Sequence, residues 1–283
     1  MFRDDLLKGK VIMITGGGTG LGRSMAEAFG SLGGALALVG RRLEVLQEAK
    51  AALAALGVPV YIAALDIRDA DRVERVIDDV FQHFGHLDVL VNNAAGNFIS
   101  PTERLSPRAV DAVLNIVLHG TFYCTLAAGK RWIERHEPGT VLNITTTYAW
   151  TGSGYVVPSA AAKAGVLALT RSLAVEWARY HIRHVAIAPG PFPTEGAWSR
   201  LMPTEELAEA ARERVPLKRV GRHEELTTLA AYLISDEAAY INGEVVTIDG
   251  GEWLKGAGMF NGLEVLSDAE WDAIRAKMPK RSS

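Results

Sequence analysis

The sequence predicts a single α/β domain in which one parallel sheet is covered by helices on both faces. Three observations carry this. Short continuous apolar runs, such as Val11-Ile12-Met13-Ile14 and Val89-Leu90-Val91, alternate along the chain with stretches whose apolar residues recur every three or four positions. The first run breaks into a glycine cluster that opens a helical stretch. No linker, low-complexity stretch or repeat divides the 283 residues.

Taken in order, the first strand leads into Thr15-Gly16-Gly17-Gly18-Thr19-Gly20-Leu21-Gly22, then a helix marked by Met25, Ala28, Phe29 and Leu32. Residues 35–39 read as a buried strand and 43–56 as a helix stopped by Gly57. Residues 60–65 are a third strand, and 69–84 a helix with Asp69 or Asp71 at its cap. Strand 89–91 runs into Asn92-Asn93-Ala94-Ala95-Gly96. A long helix over about 107–135, strand 140–144, helix 158–180, strand 184–188 and strand 245–248 follow. Residues 191–215, three prolines and then a Glu/Ala/Arg helix, read as an insertion, either a flap over the site or surface decoration; a C-terminal extension starts near residue 253.

Composition bounds the function. Hydrophobic residues make up 48% and charged residues 22%, as in a globular protein with an ample core. A net charge of −3 and a pI near 6.2 give no reason to expect nucleic acid as a partner. Cys124 is the only cysteine, which fits a reducing compartment. No apolar run approaches the roughly 18 residues of a membrane span. The start lacks a secretory or transit signature and the end is not a peroxisomal address, so the expectation is a cytoplasmic protein. His181 and His184, three apart across a helix-to-strand break, read as solvated histidines, and no metal site is expected.

The glycine pattern, Gly16-x-x-x-Gly20-x-Gly22 between strand and helix, lets the backbone turn tightly and approach a pyrophosphate held on the free N–H groups of the helix start. At the end of the second strand, where an acid would bond the ribose hydroxyls of NAD, stand Gly40-Arg41-Arg42. Guanidinium groups match a 2′-phosphate in charge and geometry, so NADP(H) is favoured over NAD. Asp66, ending the third strand, suits an adenine amino group or a helix cap.

Thr15-Gly16-x-x-x-Gly20-x-Gly22, Asn92-Asn93-Ala94-Ala95-Gly96, Asn143-Ile144-Thr145, Lys163 and Pro189-Gly190-Pro191 together resemble the short-chain dehydrogenase/reductases, with their Rossmann-type doubly wound sheet, over about residues 7–253. The family's usual tyrosine, four residues before the lysine, is Ser159 here; its usual serine falls at Thr146, and Val117 stands where a helix asparagine often does. One branch departs in the same way. The stretch Asn92-Asn93-Ala94-Ala95-Gly96-Asn97-Phe98-Ile99-Ser100-Pro101-Thr102-Glu103-Arg104-Leu105-Ser106-Pro107, then Tyr148-Ala149, Gly152-Ser153-Gly154, Pro158-Ser159-Ala160 and Gly196-Ala197-Trp198-Ser199-Arg200 resemble the mitochondrial-type 2,4-dienoyl-CoA reductases. In that branch the working tyrosine lies fifteen residues before the lysine, the position of Tyr148.

The resemblance implies Tyr148, Asn97, Ser159 and Lys163 as the catalytic set. It implies cofactor contacts from Gly16, Gly17, Gly18, Thr19, Gly20, Leu21, Arg41, Asp66, Lys163, Pro189, Gly190, Pro191 and Phe192. Substrate contacts are implied for Arg68, Phe98, Ser106 and Arg200, with an acyl-CoA as substrate and a homotetramer as the assembly. Trp150 departs from the branch by replacing an acid, and Pro193 and Glu195 by replacing lysines, which removes positive charge from the flap.

The chemistry accounts for the displaced tyrosine. Hydride addition to the far end of a conjugated dienoyl thioester puts negative charge on the thioester oxygen, and donors aimed at that oxygen suffice. The implied product is a trans-3-enoyl-CoA, with carbon protonated afterwards by water. Residue by residue, other readings stay open: Tyr148 as a packed strand-end ring, Asn97 as a turn former beside Gly96, Ser159 as a helix cap. So do a 3-oxoacyl or 2-enoyl thioester reductase using Thr146 or Ser159, and a dinucleotide-binding protein without catalysis.

Overall fold

A computed structural model describes residues 3–194, 202 and 204–277. Seven strands form one sheet in the order β3-β2-β1-β4-β5-β6-β7, every neighbouring pair parallel. They are β1 (Val11–Thr15), β2 (Ala35–Gly40), β3 (Val60–Ala64), β4 (Val89–Asn92), β5 (Gly139–Ile144), β6 (Ile182–Pro189) and β7 (Val245–Ile248). The chain works outward from β1 to β3, then returns to β4 on the other side of β1. Open α/β sheets bind ligands where the order reverses in this way, outside the carboxyl ends of β1 and β4.

Alternation along the strands explains the two layers. Ile12 and Ile14 point to one face, where they pack with Met25 and Phe29 of α1 (Gly20–Ser31), Leu46 and Leu53 of α2 (Leu43–Ala54), and Leu226 and Ala230 further along the chain. Val11 and Met13 point to the other, against Val73 and Ile77 of α3 (Ala70–Phe84), Cys124 and Trp132, and Leu169 and Leu173. Each large apolar side chain so buried contributes roughly 1.5–3 kcal/mol relative to exposure. Cys124 belongs to this second layer, and burial pushes its thiol up to about 12.

The long helix over 107–135 is present with a local change of winding. It runs as α4 (Pro107–Leu114), a π-helical segment Asn115–His119, and α5 (Gly120–Arg135). Thr121 Oγ1 donates to the Val117 carbonyl at 2.7 Å. By length and composition this helix could cross a membrane, but Cys124, Ala127, Ala128 and Trp132 face the sheet, which accounts for its apolarity.

Three elements differ from the sequence expectation. Tyr148 begins a single helical turn, α6 (Tyr148–Thr151), instead of lying in a loop; α7 (Val157–Glu176) stops before a separate 3-10 turn, Ala178–Tyr180. The Glu/Ala/Arg helix of the insertion is α8 (Glu205–Arg214), and α9 (His223–Ile234), not expected, covers the first face of the sheet. The extension holds α10 (Glu252–Ala257) and α11 (Asp268–Ala276). His184 corrects the reading of solvated histidines. Inside β6 it is fully buried, stacks edge-on against Trp177 at 5.4 Å, and has no partner on either ring nitrogen among the described residues. Burial lowers it to about 4, so it is neutral.

Candidate active site

The reacting corner is built where β5 ends. Thr145 N donates to the Ile187 carbonyl at 2.8 Å, holding the chain against β6 before it turns into α6. There the Tyr148 hydroxyl lies 3.1 Å from Ser159 Oγ and 3.4 Å from Asn97 Nδ2. Asn97 is oriented by its own loop: its Oδ1 accepts from the Phe98 N–H at 2.9 Å, which leaves Nδ2 for the tyrosine. Ser159 and Lys163 sit one turn apart on α7, only 2% and 8% exposed. Lys163 Nζ donates to the Ile144 carbonyl, and burial lowers its amine to about 8.

A buried polar ladder supports this corner from below. Asn92 Nδ2 donates to Thr125 Oγ1 and to Asn143 Oδ1 at 3.0 and 2.9 Å, and Asn143 Nδ2 donates to Thr170 Oγ1 at 2.8 Å. The ladder fixes the ends of β4 and β5 relative to α5 and α7. Val117, where a polar residue would extend the set, is 1% exposed in an apolar cluster with Val113 and Ala162, against which Phe98 also packs.

The crevice between β1 and β4 is shaped by close backbone approach. Thr15 Oγ1 accepts from the N–H groups of Asn93 and Ala94, both at 3.0 Å, and Asn93 Nδ2 donates to the Thr15 carbonyl at 3.0 Å. A Cβ on Gly22 would lie 2.3 Å from the Gly16 carbonyl oxygen, and one on Gly17 would lie 2.9 Å from Leu38. Gly16 itself has φ +67, the left-handed region. Thr19 caps α1 with extended backbone, no side-chain hydrogen bond and no acid in the first turn. That first turn therefore keeps its N–H groups for an anion, and with Leu21 behind them these residues fit the pyrophosphate of a dinucleotide.

Arg41 is exposed at the end of β2. Asp66 does not cap α3; Asp69 does, accepting from Arg72 N at 3.0 Å. Asp66 instead takes the Arg68 side chain, with contacts of 2.5 to 3.0 Å, and those hydrogen bonds, with a smaller contribution from Arg41, hold its carboxyl below the usual range. The structure thus joins an expected cofactor residue to an expected substrate residue. Pro189 ends β6, and a Cβ on the following Gly190 would lie 2.6 Å from Asp249 Cβ. Beyond Pro191, Phe192 turns inward onto Gly221 and the first-face core. Ser106 caps α4 by accepting from Ala109 N at 3.2 Å. Arg200 lies outside the described residues, as do Glu195 and Trp198.

Two connections were not expected. His223 Nδ1 lies 2.7 Å from Ser24 Oγ on α1, while its Nε2 lies 2.8 Å from the Pro193 carbonyl, tying the start of the insertion to α1. Trp253 meets Trp150 edge to face, with centroids 5.5 Å apart. The Asp249-Gly250-Gly251 turn ahead of Trp253 is the only local sequence feature that could have pointed there.

Known proteins resemble this chain over most of its length. Residues 16–252 match the family described as enoyl-(acyl carrier protein) reductase. A Bacillus subtilis protein named probable 2,4-dienoyl-CoA reductase [(2E)-enoyl-CoA-producing] is 46% identical over 87% of this chain and 97% of its own. A Caenorhabditis elegans protein named probable 2,4-dienoyl-CoA reductase 3 [(3E)-enoyl-CoA-producing] is 44% identical over 89% of this chain and 83% of its own. The crystal structure of a short chain dehydrogenase from Bacillus anthracis, 46% identical, superposes with a TM-score of 0.78, covering 86% of this chain and 96% of that one. The chain belongs to the short-chain dehydrogenase/reductase family, whose members use a nicotinamide dinucleotide.

Proposed function

We propose that the chain is an NADPH-dependent 2,4-dienoyl-CoA reductase acting in the oxidation of unsaturated fatty acids and yielding a trans-3-enoyl-CoA. The observation that carries the reading is the convergence of Tyr148 Oη, Asn97 Nδ2 and Ser159 Oγ within 3.4 Å beside a buried Lys163. The names of the relatives from Bacillus subtilis and Caenorhabditis elegans support the substrate class.

The reduced dinucleotide supplies the hydride. Either hydroxyl of the Tyr148–Ser159 pair can donate; with Ser159 as the donor, the tyrosine's own proton is free to point at the thioester oxygen. Asn97 Nδ2 gives a second donor to that oxygen, and together they stabilise the dienolate as charge develops. Lys163, held by Ile144, orients the nicotinamide ribose, and its positive charge favours negative charge developing beside it. Gly16 to Leu21 hold the pyrophosphate, Arg41 the 2′-phosphate, Asp66 the adenine, and Pro189 to Phe192 the nicotinamide end. Arg68, Phe98, Ser106 and Arg200 contact the acyl-CoA. The protein is a cytoplasmic homotetramer; Val175 and Tyr240, 82% and 104% exposed, are apolar surface that a second copy would cover.

The carbon that takes the proton decides the product: C2 gives the 3-enoyl thioester and C4 the 2-enoyl thioester. The test is oxidation of NADPH with a 2,4-dienoyl-CoA, followed by location of the remaining double bond. Expected are turnover and a 3-enoyl product; a 2-enoyl product would move the protonation site and match the Bacillus subtilis name. The description of the matched family favours a 2-enoyl thioester reductase as the second reading. Turnover of 2-enoyl or 3-oxoacyl thioesters with none of the dienoyl compound would establish that second class. Tight NADPH binding without any turnover would mean a binding protein.

A further inference from the structure

The segment 249–253 touches three parts of the molecule that a reaction here has to hold in register. Asp249, 9% exposed, lies against the cofactor loop at Gly190. Its carboxylate turns the other way: Oδ1 accepts from Gly251 N at 2.8 Å and Oδ2 from Trp253 N at 2.9 Å, which fixes the start of α10. Glu252 pairs with Arg214, the last residue of α8, at 2.7 Å. Gly250 lies under Val215 so closely that a Cβ would come within 2.6 Å of it. Trp253, one residue past the family match, then packs on Trp150 at an interplanar angle of 81°.

Trp150 is the third residue of the turn that begins with Tyr148. A four-residue helix cannot hold itself, because nucleation of a single turn is unfavourable. This one has no side-chain cap and ends at Gly152 with φ 71. Besides the Tyr148 hydroxyl's bonds to Ser159 and Asn97, two packing contacts hold it: Ala149, 6% exposed, on the α7 side, and Trp150 on Trp253. Among the described residues, Trp253 reaches the turn from outside the β5–α7 unit, as Asn97 does through its bond to the Tyr148 hydroxyl.

The geometry points to Trp253 as a positioning residue that clamps the Tyr148 turn through Trp150, and to Asp249 as the tie between that clamp and the cofactor loop. Filling of the loop by a dinucleotide then sets the tyrosine. The rate consequence rests on Tyr148 being the catalytic group of the proposed reductase; the mechanical link does not.

Two measurements on the full chain test this. In the first, Trp253→Ala lowers kcat on the dienoyl thioester at least about tenfold, since a displacement of about 1 Å can cost about 10²-fold. The dinucleotide Kd stays within about threefold, Trp253→Phe restores most of the rate, and in a Tyr148→Phe background the same Trp253→Ala change has less than about a twofold effect. An equal loss in both backgrounds would show that Trp253 acts independently of the tyrosine and overturn the proposal. The second needs no turnover. In protein labelled with 3-fluorotyrosine, the fluorine resonance missing from Tyr148→Phe is that of Tyr148. It shifts when NADP is added, and that shift is lost in Trp253→Ala and in Asp249→Ala. A Tyr148 resonance that responds identically in all three proteins contradicts the clamp even if the enzyme reduces no dienoyl-CoA.

Discussion

The dinucleotide half of the molecule and the reacting half are specified by opposite means. Around Gly16, Gly17 and Gly22 the structure depends on side chains being absent, with backbone so close that a Cβ would sit 2.3 to 3.1 Å from its neighbours. Around Tyr148 it depends on side chains being present: two hydroxyls, an amide and an amine brought from residues 97, 148, 159 and 163 by one loop and two helices. The first kind of site is local and tolerates no addition. The second is distributed and fails by displacement. A tyrosine can therefore move from the α7 helix to the turn before it, provided the donors still meet at one point.

The contrast can be broken most severely at Gly22. Gly22→Ala should weaken dinucleotide binding about 100-fold, the upper end of the ~1–3 kcal/mol cost of overpacking, because the obstacle is the Gly16 carbonyl and not a flexible side chain. Fluorescence titration reading a Kd within threefold of the parent would remove the claim that backbone proximity defines this half. Next comes Arg41→Ala, expected to raise KM for NADPH about 30-fold and leave KM for NADH nearly unchanged, as loss of a charge-assisted phosphate contact should. Equal effects on both cofactors would contradict the proposed 2′-phosphate contact.

Lys163 sharpens the comparison through pH. Its amine is lowered from 10.5 to about 8 by burial, so the fold disfavours the charged form. Below about pH 8 both folded and unfolded chains carry the proton and the penalty is full. Between about 8 and 10.5 the unfolded chain holds the proton that the folded chain has lost, so this group makes stability rise with pH. Denaturant unfolding should show that rise in the parent relative to Lys163→Met, while kcat falls above about pH 8 as the charge is lost. The smallest effect is expected at His184, which is neutral because burial lowers it from 6.5 to about 4. Stability should fall as pH drops through that window, and His184→Leu should remove that part of the slope.

The same contrast governs how far the sequence could be read. The strands were legible because both faces are buried and their apolar runs are continuous, and the glycine loop because its requirement is local. The covering helix α9 escaped notice although Leu226, Ala230, Leu233 and Ile234 have helical spacing, because its polar half, His223-Glu224-Glu225, adjoins the proline- and glycine-bearing end of the insertion. The π-helical segment is written in ordinary helix residues and has no sequence signal. The Asp66–Arg68 pair is only two residues apart, yet the two positions carried separate expectations, and side-chain pairing between them depends on how β3 ends. Tyr148 could be picked out only through its spacing to Lys163 in a family resemblance; periodicity alone left it an ordinary packed ring. Contacts such as Trp150 on Trp253, more than a hundred residues apart, follow from topology and not from local pattern.

The central claim is that Tyr148 and Asn97 act together on one oxygen. It is tested most directly by kcat/KM for a 2,4-dienoyl-CoA in Tyr148→Phe, in Asn97→Ala and in the double variant, with NADPH saturating. Removing one oxyanion donor should cost about 10²–10³-fold, and the double variant should lose less than the product of the two single losses. A Tyr148→Phe enzyme that keeps the parent rate would contradict the account.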